Sequence, residues 1–290
     1  MISVNSSYMD FVNQHNLAKN TKALNQAMER LATGCRINHE SYDPSGLYKA
    51  SSLSSQISSL EIANKNNLLA ANFLEIANGS LTTVSDCLMR MKDLATQASS
   101  GILSDGARNA LQSELDSLAE QVNRSISGST MNGVKTLTAD IKMGSSAEEE
   151  PAEAEAADAP NPVIRLQVGE TTDESSAIQY NSAISLDLRD LDLSTVEGAQ
   201  SAMAKLQAQL ETVTAKQSYI GIQLNRLDDI YNAQQIRIEN LSAARSTIMD
   251  TDYAKEVANM VKYQILQQIS ASILTQTRKM SGQIALSLLQ

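Results

Sequence analysis

Tryptophan is absent from this 290-residue chain, which holds only two Phe, four Pro, two Cys and two His. Large aromatic side chains dominate thick cores. Their scarcity predicts thin seams of helix on helix in place of a wide interior. No apolar run approaches the ~20 residues that span a bilayer. The net charge of −10 argues against nucleic acid, whose binding leans on Lys and Arg neutralising phosphates, and against an acidic membrane surface. Met1 to Met9 offers neither a basic start nor an apolar stretch, so it does not read as a secretory signal peptide. Taken alone, that points to the cytoplasm, unless export recognises something else.

The chemistry of catalysis is equally thin. His39-Glu40 has no second His at the spacing a zinc protease needs. His15 and His39 without a Cys cluster make no zinc site. No phosphate-cradling glycine loop and no Ser–His–acid set stands out. The expectation is no enzyme, no cofactor and no metal. Cys35 and Cys87 form no CxxC pair. Cys35 continues the apolar phase of Leu17, Leu24, Met28 and Leu31 and is expected to be buried. Cys87, beside Leu88, is expected to be more exposed; whether the two bridge stays open.

What the chain does contain is two long apolar stripes. Ala199, Met203, Leu206, Leu210, Val213, Gln217, Ile220, Leu224, Leu227, Tyr231, Gln234, Ile238 and Leu241 alternate steps of four and three. Ala70, Leu74, Ala77, Leu81, Val84, Leu88, Met91, Ala95 and Ala98 do the same. That spacing averages about 3.5 residues and keeps a seam on one helix face, as coiled coils require. Two such helices far apart in sequence are expected to pack against each other. The fold class is mainly α: an elongated antiparallel helical bundle of N- and C-terminal regions, with a small β-hairpin.

Residues 1–34 read as a helix ended by Gly34. Asp43-Pro44 restarts one, with Asp as cap and Pro at the first position, running to about Ala98. A third spans about Asp105 to Ile126, and Gly128 to Gly133 is a turn. Ser145 to Pro162, rich in Glu and Pro, cannot offset the entropy of ordering and reads as a mobile acidic loop. Val163 to Val168 and the stretch around Ile178-Gln179-Tyr180 alternate like a hairpin around the turn-rich Gly169 to Ser176. Ser194-Thr195-Val196-Glu197 fits a capping box opening the last long helix, and the phase slips near Asp250-Thr251-Asp252. Three regions follow: 1–43 with 251–290, 44–144 with 163–250, and the 145–162 loop. The terminal helices carry Leu17, Leu24 and Leu31, and Val257, Val261, Ile265, Ile269 and Ile273, with no third element to cover them. Burying such side chains is favourable by ~1.5–3 kcal/mol each. The cover is then other copies of the chain, a membrane surface or a chaperone; few basic residues disfavour the membrane, and self-assembly is the expectation.

These residues resemble the bacterial flagellins. Leu31 to Asn38 is similar to "LSSGLRIN", Tyr42 to Leu47 to "DDAAGLAI", Leu88 to Gln97 to "LQRVRELAVQ", and Met131 to Lys135 to "FNGVK". Asn240 to Ser246 and Asp250 to Glu256 are similar to "NLTAARSRIxDxDxAxE". The resemblance covers about 1–140 and 190–290. It implies a subunit that self-assembles into the flagellar filament for motility and leaves the cell by the flagellar type III route. The terminal helices would form the inner filament core. Partners implied are an export chaperone on the C-terminal segment, and cap and hook-associated proteins. Contact with the flagellin-sensing toll-like receptor would fall on Leu88, Arg90, Leu94, Gln97 and Glu114. Arg90 and Leu94 each precede a seam residue, so packing between subunits is a second role for them. Cys35, Cys87, Pro44 and Lys92-Asp93 depart from the family pattern. A hook–filament junction protein and an intracellular helical scaffold or chaperone remain alternatives.

Overall fold

The computed structural model describes residues 2–142, 163–169 and 176–288. The acidic 145–162 loop expected from sequence lies outside the described residues. The elements are α1 (Ile2–Thr33), α2 (Pro44–Ala98), α3 (Asp105–Ser127), β1 (Thr130–Met131), β2 (Val134–Lys135), β3 (Thr138–Lys142), β4 (Val163–Gln167), β5 (Ala177–Asn181), β6 (Ala183–Asp187), α4 (Val196–Met249) and α5 (Tyr253–Leu288). The chain divides into two compact units, Met1–Ile57 with Ile238–Gln290, and Ser58–Arg237.

Helix starts follow local chemistry. The Asp43 carboxylate accepts from the Gly46 amide at 2.9 Å, while Pro44 occupies the first helical position, where a missing N–H costs nothing. Ser104 caps α3 by accepting from the Ala107 amide. At α4 the expected capping box is not made. Thr195, one residue later, accepts from the Gly198 amide at 3.0 Å. The Ser194 amide instead donates to Asp192 at 2.8 Å, which places Ser194 outside the helix.

In Ser58–Arg237 the two stripes bury against one apolar cluster. Every α2 stripe residue from Ala70 to Ala98 is buried, with Leu74, Leu81 and Val84 at 0 % exposure. On α4 the residues seven apart, Ala199, Leu206, Val213, Ile220 and Leu227, are also fully withdrawn. The intervening Met203, Leu210 and Leu224 are half-buried at the edge of the cluster. Three side-chain bonds fix an antiparallel register: Asn67 Nδ2 to Leu227 O at 2.7 Å, Gln217 Nε2 to Thr82 Oγ1 at 3.3 Å, and Lys92 Nζ to Gln207 Oε1 at 2.6 Å. Ile238 and Leu241, expected to continue the seam, fall in the other unit and are half-buried. From α3, Leu115, Ala119, Val122 and Ile126 join the same core.

Strands complete this unit. The expected turn at 128–133 is a tight hairpin, β1 antiparallel to β2. Its Asn132 and Gly133 have φ of 51° and 81°, the pair of positive values that a two-residue hairpin loop demands. The expected β4–β5 hairpin forms with Ile164 opposite Tyr180. A third pairing, β3 parallel to β6, was not legible in sequence. Ser182 alone separates β5 from β6, and Ile178, Tyr180, Ile184 and Leu186 all point into the core.

In the other unit α1 and α5 run antiparallel. Asn20 Nδ2 donates to Ser270 at 3.1 Å, Gln267 Nε2 to Thr21 at 3.0 Å, and Arg30 to Glu256 at 3.2 Å. Gly34, with φ +71°, ends α1 by donating to Arg30 O. The chain then clasps the α4–α5 break: Arg36 N donates to Met249 O at 2.6 Å, and Thr251 N to Gly34 O at 2.9 Å. This clasp overturns the expectation for the cysteines. Cys35 lies past the helix end, in a bridge to Asp250, and is only partly buried. Cys87 is buried at 8 % exposure beside Val84 and Leu88. Both are free thiols. The expected boundaries at 43/44 and 250/251 also differ from the observed division. The first turns of α2 and the last of α4 belong with the terminal helices, where Arg245 reaches Ser54 at 3.4 Å.

Leu206→Ala should cost about 2–5 kcal/mol, the range for an emptied core site, and Leu210→Ala distinctly less. Urea melts of the monomer read the difference.

Candidate assembly and recognition surfaces

The terminal-helix residues named from sequence separate into two sets. Leu24 is buried and Leu17 and Leu31 half-buried on α1. On α5 the side facing α1 is made by Tyr263, Leu266, Gln267, Ser270 and Leu274, all half-buried. Val257, Val261, Ile265, Ile269 and Ile273 instead stand outward, between 44 and 50 % exposed. Steps of four keep neighbours of this set adjacent on the helix surface. The result is a continuous stripe of branched apolar side chains on α5.

The second surface lies on α2 and α3. Arg90 Nε and Nη2 both donate to Glu114 Oε1, at 3.1 and 2.8 Å. Both side chains remain about half exposed, and Gln97 is exposed as well. Leu88 and Leu94 do not belong to this surface. At 1 and 2 % exposure they pack in the subunit's own core, because they sit on the seam side of α2. Outward contacts fall to Arg90, Gln97 and Glu114.

Sequence reasoning placed Gln217 and Gln234 in the α4 stripe but passed over Asn67 and the polar side chains that flank the seam. Asn67 and Gln234 are buried within it, and each donates to a backbone carbonyl, Leu227 O and Val168 O. Gln209, Lys216 and Tyr219 form a polar stripe on α4 facing the strands. Their helical spacing beside the seam was the available signal. Burial pushes the Cys87 thiol up, with Asp86 adding to the shift. Burial likewise raises the Tyr180 phenol, aided by Tyr219, and lowers the Lys216 ammonium. Hydrogen bonds from Ser194 hold Asp192 below the ordinary carboxylate range. Among the described residues no three His, Cys, Asp or Glu side chains gather as a metal site, and no helix is long and apolar enough to cross a membrane.

The family pattern of the bacterial flagellin N-terminal helical region matches residues 4–141, and that of the C-terminal helical region matches residues 203–289. The chain belongs to the bacterial flagellins. A flagellin of Halalkalibacterium halodurans is 30 % identical, with 92 % of this chain and 93 % of that one aligned. The flagellar filament 30.7 kDa core protein of Treponema maltophilum is also 30 % identical, over 86 % of each chain. A solved structure described as a flagellar hook-associated protein of Vibrio parahaemolyticus shares the fold, with a TM-score of 0.57 at 16 % identity, covering 72 % of this chain and all of that one.

Within this flagellin the two thiols should differ in reactivity, because the thiolate is the nucleophile and burial disfavours it. Monomer treated with maleimide should label Cys35 several-fold faster than Cys87; the reverse order would contradict the burial assignment. Arg90→Ala should change monomer stability by less than about 1 kcal/mol, as for exposed ion pairs, in a urea melt at physiological salt.

Proposed function

We propose that this flagellin is the repeating structural subunit of a flagellar filament, held in its lattice by the outward stripe of α5. The stripe is the observation that carries the reading. Five branched side chains about half exposed along one ridge of the helix are unfavourable in water, and each gains roughly half of the ~1.5–3 kcal/mol that full burial supplies. A stripe that meets a different face of the next copy makes a head-to-tail contact, and repetition of such a contact without closure is how identical subunits build long helical assemblies. Relatives over nearly the whole length include a flagellin and a filament core protein, which supports self-assembly over the intracellular scaffold. The likeness to a hook-associated protein concerns the fold and keeps the junction adaptor as the second reading.

In this reading α1 and α5 form the inner filament layer, and Ser58–Arg237 supplies the surrounding one. Before assembly the α5 stripe is the natural seat of an export chaperone, since it is a row of outward apolar side chains on the C-terminal helix. Export runs through the flagellar type III route, to a growing tip closed by cap and hook-associated proteins. Arg90, Gln97 and Glu114 are the outward residues available for packing between subunits and for a toll-like receptor. The work of the protein is mechanical, not catalytic.

Ile265→Asp and Ile269→Asp test this directly. Each should abolish growth from short filament seeds, seen by electron microscopy, while the circular dichroism of Ser58–Arg237-dependent helix in the monomer stays within error of the parent. Filaments of normal length from either variant would sink the proposed role of the stripe.

A further inference from the structure

The consecutive strands β5 and β6, broken only at Ser182, have one edge occupied by β4 and β3 and one facing α4. Ser176 O accepts from Val168 N at 3.0 Å, and Ser182 O accepts from Thr138 N at 3.0 Å. Backbone groups alternate sides along a strand, so even-numbered residues pair with β4 and β3, and odd-numbered ones face the other way. On that other side α4 provides side chains where a strand would stand. Tyr219 OH donates to Gln179 O at 3.2 Å and accepts from Asn181 N at 3.5 Å. Lys216 Nζ donates to Asn181 O, and to Ala183 O at 2.9 Å. Gln209 Oε1 accepts from Asp187 N at 3.3 Å. Lys216 is held in place by Tyr180 and Tyr219, whose ring centres both lie 5.3 Å from its nitrogen.

The contact is a set of polar latches over a gap, not a packed seam. An open groove of 540 Å³ along β6 and α4 is lined by Ala183, Ile184, Ser185, Thr212, Ala215 and Lys216. The strand beneath is of a kind that invites pairing. From Ala177 to Leu186 it carries no charge, no proline and no glycine. Its outward side chains Gln179, Asn181, Ala183 and Ser185 are neutral, and the outward Asp187 that ends β6 is paired with Arg189. Uncharged, proline-free strands with an open edge are templates for intermolecular pairing, and lysine at the edge is a common protection.

We infer that Gln209, Lys216 and Tyr219 guard the β5–β6 edge against strand addition by a second copy of this chain. The second copy is the fitting partner because the same neutral edge recurs on every subunit, so two edges meet without like-charge repulsion. This inference is independent of the filament contact, since it concerns monomers and residues of Ser58–Arg237, whereas the α5 stripe belongs to the other unit.

The test uses full-length monomer with Lys216→Met and Gln209→Leu combined, slightly shorter apolar side chains that remove two of the three latches and leave only Tyr219 on the edge. Hydrogen exchange at the Asp187 amide should quicken about threefold to tenfold, as for losing one hydrogen bond. Thioflavin-positive aggregates should then appear on incubation, while the parent and Lys216→Arg stay monomeric. Adding Ser185→Lys to the double variant should restore the monomer by placing a charge on the outward strand face. A double variant with unchanged exchange, or one that stays monomeric once the edge is open, overturns the inference. So does aggregation that Ser185→Lys fails to suppress, which would reflect general misfolding. Seeded growth of the parent is not at issue in any of these arms.

Discussion

The apolar contact of α2 with α4 is the constraint on which Ser58–Arg237 depends. Leu74, Leu81 and Val84 on one helix, and Leu206, Val213 and Ile220 on the other, are wholly withdrawn from water. Neither helix could hold such a stripe alone, because most helical stability in water comes from burying an amphipathic face. Once they pair, α3 has a surface for Leu115 and Val122, and the strands have one for Tyr180 and Leu186. The polar bonds from Asn67, Lys92 and Gln217 add little energy by comparison but settle the register and direction. A buried polar side chain that fixes alignment at some cost in stability is a familiar device of paired helices.

The terminal helices use the same physics with a different outcome. In α1 and α5 the facing sides are partly polar, bonded through Asn20, Thr21, Gln267 and Arg30. The more hydrophobic stripe of α5 is turned outward. An ordinary monomer rarely presents a contiguous apolar patch without a use for it. The difference between a seam wholly buried within Ser58–Arg237 and an apolar α5 stripe left outward in the terminal unit is what suits a subunit to assembly. The guarded β5–β6 edge is the complementary feature, a surface kept from association.

Much of this was legible in the sequence because long helices repeat their signal many times. The α2 bounds from Pro44 to Ala98, the α3 start at Asp105 and the pairing of distant stripes all follow from phase, caps and breaks. Features that depend on a single residue were harder to read. Thr195 and Ser194 are both good caps, and only the fold of the preceding loop decides between them. Cys35 continues a heptad on paper, yet Gly34 turns the chain away before the phase can apply. Leu88 and Leu94 sit in a motif whose resemblance suggests recognition, but their place on the seam buries them. The parallel β3–β6 pairing joins segments far apart, with no local pattern to announce it. Parallel partners require a long crossover, and its residues carry no trace of which strands it joins.

Residue-resolved hydrogen exchange on monomer and on filament tests the central claim most directly. The account predicts strong protection of α2 and α4 amides along the seam in both states, and protection of Val257 to Ile273 that rises sharply only in the filament. Equal protection of that α5 segment before and after assembly would contradict it, because the outward stripe would then have gained no cover from neighbouring subunits.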